Sequence, residues 1–121
     1  MNPFALVALA IVGWMAIGAI FFQDYGTGRF VAEGVACFLA GLAAAVVTGC
    51  IVWSIMRLGY VVNPGTAGLV AGSLAGVAGL AALELHCPIF LAPHILVWHT
   101  AVVPMSALAG LLLGRLREHL R

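Results

Sequence analysis

The stretch GTAGLVAGSLAGVAGLAALEL, residues 65–85, decides the fold. It carries no charge until Glu84, and it follows Asn63-Pro64, a pair suited to starting a helix. Its length matches the ~20 mostly apolar residues that a helix needs to cross a bilayer. Gly68, Gly72 and Gly76 recur at four-residue spacing, with Ala71, Ala75 and Gly79 on adjacent positions. One face of the helix is therefore nearly bare of side chains. Lipid tails are as apolar as leucine, so helices in lipid gain little by hiding apolar surface and associate through close backbone approach instead. Gly68, Gly72, Gly76 and Gly79 are accordingly expected to form a helix-packing seam. The stretch holding Gly41, Ala43, Ala44, Ala45 and Gly49 is its expected partner. The spacing leaves open whether the seam lies inside one bundle or between copies of the chain.

Three further stretches have the same character: residues 4–22, 30–56 and 93–114. The first has no charge, the second has only Glu33 near its start, and the last runs into a basic tail. The reading is all-α: an integral membrane bundle of four transmembrane helices in a single domain, residues 1–121. Composition agrees, with 64% hydrophobic and 7% charged residues, a mean hydropathy of +1.19 and no lysine. A soluble domain of this size needs far more polar surface. The first stretch is expected to be retained rather than cleaved as a signal peptide. Met1-Asn2-Pro3 supplies no basic residue, and the apolar run exceeds the ~7–15 residues of a signal core. A net charge of +1 offers no basic stripe for nucleic acid. No phosphate loop, dinucleotide fingerprint or nucleophile–base arrangement is present, so no enzymatic activity is expected.

The connections 23–29, 57–64 and 86–92 are short, which favours antiparallel neighbours. Arg57, Arg115, Arg117 and Arg121 fall on one side, against Arg29 beside Asp24 on the other. Positive residues concentrate inside, so both termini and the 57–64 connection are expected in the cytoplasm of a bacterial inner membrane. The RLREHLR tail reads as an amphipathic helix end whose arginines meet anionic headgroups. Tyr60, Trp53 and Trp98 suit interfacial positions, whereas Trp14 sits mid-span as a packing residue. Pro104 is expected to kink the last span.

The ionisable residues near the membrane need a reason to be there. Glu33, Cys37, Glu84, His86, Cys87, His94 and His99 all fall toward the outer ends of their spans, and Glu33 and Cys37 share a helix face. One reading is an outward-facing metal or redox sensor with His86, Cys87, Glu84 and His94 as ligands, a donor set suited to zinc, cadmium or copper. The other is a set of interfacial residues that hydrogen-bond helix ends and each other. No tight spacing such as CxxC or HExxH favours the first, and the second asks for nothing further. Lone histidines such as His94 and His99 do not establish haem or chlorophyll, and no cofactor is assigned. Three cysteines make no disulfide framework, and at least two are expected to be buried, inert thiols.

The second half of the chain resembles the NrsF family of membrane anti-sigma factors, negative regulators of extracytoplasmic-function sigma factors. The resemblance rests on Arg57-Leu58-Gly59 with Pro64 five residues on, the glycine/alanine helix ending at His86-Cys87-Pro88, Trp98-His99, and Gly114-Arg115 at the end of the last helix. It covers roughly residues 40–121. It implies a sigma factor as partner and makes His86, Cys87 and Trp98 the sensory candidates. The family pattern has six spans after a cytosolic segment that captures the sigma factor. Here Met1-Asn2-Pro3 leads straight into a helix, and Ile89-Phe90-Leu91 stands where acidic residues often follow the His-Cys-Pro motif. Two other functions compete with the regulator. One is an accessory subunit of a larger respiratory or photosynthetic membrane complex, or a homo-oligomer, packing through the glycine seam. The other is a small metal- or cofactor-binding membrane protein.

Overall fold

The computed structural model describes residues 2–59 and 61–120. Met1, Tyr60 (the expected interfacial aromatic) and Arg121 (counted in the basic tail) lie outside the described residues. Among those described there are four long helices and no strand: α1 Pro3–Phe21, α2 Phe30–Met56, α3 Pro64–His86 and α4 Ala92–His119. All four are long and apolar enough to cross a membrane. The expected boundaries hold to within a residue or two, except that α4 runs five residues past Gly114 into the basic tail.

Local chemistry sets the starts. The Asn2 side chain accepts a hydrogen bond from the Phe4 amide at 3.0 Å, and that of Asn63 accepts one from Thr66 at 2.9 Å. In both helices a proline occupies the first turn, where no amide hydrogen is needed. Hydroxyls within the helices turn back on their own backbone: Thr48 to Ala44, Ser54 to Cys50 and Ser73 to Leu69, at 3.1, 2.8 and 2.8 Å. These three hydroxyl donors thus need no partner from an apolar surround.

The seam's main partner is α4 rather than the expected α2. A Cβ at Gly68 would overlap the carbonyl of Gly110, one at Gly72 the carbonyl of Ser106, and one at Gly76 would come 2.7 Å from the Cα of Val103. The match is reciprocal, because a Cβ at Gly110 would strike the Gly68 carbonyl and one at Gly114 the Pro64 carbonyl. Only Gly79 turns toward α2, against the Gly41 carbonyl. The alanines and glycines of α2 thus take the second place, completing a core of Ala45, Ala75, Leu83 and Val102. The α4 partner is harder to see in sequence because its small residues, Ser106, Gly110 and Gly114, are interleaved with Leu111, Leu112 and Leu113.

Helix α1 stands apart. Its one buried residue is Gly18, which faces Leu96, and Val7 lies against Leu69, Ala107 and Leu111.

Pro104 lies inside the α-helical part of α4, and a π-helical turn over Ile95–His99 precedes it. The Thr100 hydroxyl donates to the Ile95 carbonyl at 3.4 Å across that widened turn.

The 23–29 and 87–91 connections meet at one end of the bundle, where the Ala92 amide donates to the Asp24 carbonyl at 2.7 Å. The 57–63 connection and the tail share the opposite end, where the Arg117 guanidinium sits 5.2 Å from the Trp53 ring centre. Trp53 is thereby held by a cation–π contact.

Candidate functional site

The end formed by the 23–29 and 87–91 connections holds a compact group of Cys37, Cys87, His94 and His99. One donor atom from each lies within 4.8 Å of all the others. Three elements deliver them. Cys37 sits two turns into α2, Cys87 is the residue that ends α3, and both histidines come from the first turns of α4.

The π turn is what pairs the histidines. Five residues apart on an α-helix, two side chains point roughly 140° away from each other. The extra residue in the turn removes most of that divergence, and the rings of His94 and His99 meet edge-to-face with centres 5.1 Å apart. Cys87 is placed by the helix terminus: its amide still donates to the Leu83 carbonyl at 2.7 Å, while its own backbone has turned extended. Cys37 completes the group from across the bundle.

The thiols of Cys37 and Cys87 lie 3.3 Å apart, and the Cys87 sulfur is 3.6 Å from Nε2 of His94. His94 and His99 are 2% and 1% exposed, and Cys87 6%, so this is interior chemistry rather than a surface patch. Nδ1 of His99 lies 2.8 Å from Oε1 of Glu84, while its Nε2 is buried with no hydrogen-bond partner. A buried imidazole nitrogen without a partner is a costly arrangement in a native protein and calls for a reason.

Of the four ligands expected from sequence, Cys87 and His94 belong to the group. Glu84 stands behind it as the hydrogen-bond partner of His99. His86 is exposed and is not a member. Cys37 and His99 take the remaining places. Glu33 is half-buried, 4.0 Å from Arg29, and is not a member of the group.

Trp98 is inserted against α2 rather than lying out as a belt anchor. It fills the space left by Gly34, where any Cβ would overlap the indole, and its ring packs between Phe30 and Phe38 at centre distances of 5.6 and 6.4 Å. This wedge holds the start of α4 against α2 next to the Cys/His group. Cys50 is exposed, lies outside the group and is a free thiol like the other two.

The Cys87 thiol and the His94 imidazole lie close together but are buried. The group can bind a cation, or join its two adjacent sulfurs under oxidation. Neither the curated proteins nor the solved structures yield a match to this chain. A family model described as "NrsF: Negative regulator of sigma F" matches residues 1–117. The likeness seen in the second half thus extends over nearly the whole chain, α1 and Cys37 included. The chain belongs to the NrsF family.

Proposed function

We propose that this protein is a multi-pass membrane regulator that restrains an extracytoplasmic-function sigma factor at the bacterial inner membrane. The family match over residues 1–117 carries the reading. Four long apolar helices support the membrane location, because exposed Leu, Ile, Val and Phe side chains cover the outside of the bundle. Water would penalise that surface heavily, whereas lipid accepts it. The arginine bias puts both termini and the 57–63 connection in the cytoplasm, so the Cys/His end faces outward. A sigma factor would then meet the arginine end, where Arg57, Leu58, Val62 and Arg115 are exposed. The Cys/His group and the regulated partner would lie on opposite sides of the bilayer, as sensing from outside and control from inside require.

Affinity purification of the full chain from its own membranes in mild detergent tests the reading. A co-purifying sigma factor is the expected result. Recovery of respiratory or photosynthetic subunits without a sigma factor would replace the regulator with the accessory-subunit reading, and recovery of the chain alone would count against both.

A further inference from the structure

We infer that Cys37, Cys87, His94 and His99 form a closed, four-coordinate site for a Zn2+-class divalent cation, with Glu84 as the residue that orients His99. The inference does not depend on the sigma-factor reading. It concerns what the outward end of the bundle holds, whichever partner the other end engages.

Three observations carry it. The first is spacing. Four ligands at tetrahedral Zn–S and Zn–N distances sit about 3.4–3.8 Å from one another. The observed Sγ–Nε2 distance of 3.6 Å falls within that range, the Sγ–Sγ distance of 3.3 Å lies just below it, and the whole set fits within 4.8 Å. Shifts of a few tenths of an ångström up to about 1 Å would close it. The thiol pair is well outside the ~2.05 Å of a disulfide.

The second is the orphaned donor. His99 is 1% exposed, and its Nε2 has no partner among the described residues. With Glu84 accepting the proton at Nδ1, Nε2 is the lone-pair nitrogen left to act as the ligand. A carboxylate bonded to the far nitrogen of a histidine is the usual support of a metal-bound imidazole: it fixes the tautomer and raises the ligand's basicity.

The third is the donor chemistry. Two thiolates and two imidazoles in a buried setting suit Zn2+ and Cd2+. The hard cations prefer oxygen ligands, and the set leaves no open position for water. Two thiolates also neutralise the dication, so the filled site places no net charge in an apolar surround. Bound there, the cation would tie α2 to the end of α3 and the start of α4, where polar atoms of all three meet.

The test uses the full chain in mild detergent, reduced and purified without chelator, then titrated separately with Zn2+ and Cd2+. We expect one ion per chain by elemental analysis and an ultraviolet thiolate-to-cadmium charge-transfer band that saturates at one equivalent. Cys37→Ser, Cys87→Ser, His94→Gln and His99→Gln should each abolish stoichiometric binding. Glu84→Gln should keep the stoichiometry and weaken affinity about 10- to 100-fold, the loss typical of an outer-shell partner. His86→Gln and Cys50→Ser should bind as wild type. The wild-type titration is decisive even if a ligand variant fails to fold. No ion above background in reduced wild-type protein overturns the inference, as does binding through the thiols alone that survives both histidine substitutions. Either result leaves sigma-factor capture untouched, and failure of that capture leaves this titration untouched.

Discussion

Helices α1 and α3 make an instructive pair. The more hydrophobic of the two is the less buried: α1 has a mean hydropathy of 2.5 and 6% of its span inside the protein, whereas α3 has 1.7 and 44%. In a water-soluble protein the order would be reversed, because burial there follows apolar area. Lipid, the surround proposed for these helices, is itself apolar, and a leucine gains nothing by moving from it into protein. What distinguishes α3 is how little its side chains project. Gly68, Gly72 and Gly76 let its backbone rest on that of α4, so dispersion contacts are gained along the whole length of the pair. Gly13 of α1 has nothing within 4 Å of where a Cβ would be. Leu9, Val12 and Ile20 of α1 face outward at 65%, 64% and 69% exposure.

A graded series of glycine substitutions breaks or sharpens this contrast, with thermal unfolding in detergent as the measurement. Gly72→Leu has the largest expected effect. Its Cβ would overlap the Ser106 carbonyl, which is backbone and cannot swing aside, so a loss of about 3 kcal/mol, the upper end of ordinary overpacking, is expected. Gly18→Ala comes next. Its Cβ would approach the Cδ2 atom of Leu96 at 2.8 Å, but that atom is the free end of a flexible side chain. The change should stay within about 1 kcal/mol of zero, since relief of helical glycine offsets the crowding. Gly13→Ala should be smallest and opposite in sign, a gain of roughly 0.5–1 kcal/mol from helix propensity alone. If Gly72→Leu and Gly13→Ala shift stability alike, close backbone approach is not what holds α3 and α4 together.

The same contrast explains what could be read from the residues in order. The four spans and the glycine stripe are local patterns, and length, hydropathy and four-residue spacing suffice to see them. The partner of the stripe is not local: α2 has the richer run of alanine and glycine, yet Ser106, Gly110 and Gly114 of α4 present the matching groove. The polar end was legible as a convergence of residues but not as a particular set. Cys37 is 50 positions from Cys87, and only the packed bundle brings their sulfurs to 3.3 Å. His94 and His99 have a spacing that an α-helix would splay apart, and no residue in Ile95–Val97 announces the π turn that reunites them. His86 sits beside Cys87 in sequence and appears equivalent, but at the end of a helix adjacent residues point in different directions, and His86 faces out.

The proposed role of this bundle is to restrain transcription. Genome-wide transcript levels in a strain lacking the gene, with and without the full chain supplied in trans, test it most directly. The account predicts a small set of transcripts sharing one promoter type that rises when the gene is absent and falls again on complementation. An unchanged transcript profile, or a change that complementation does not reverse, would contradict it.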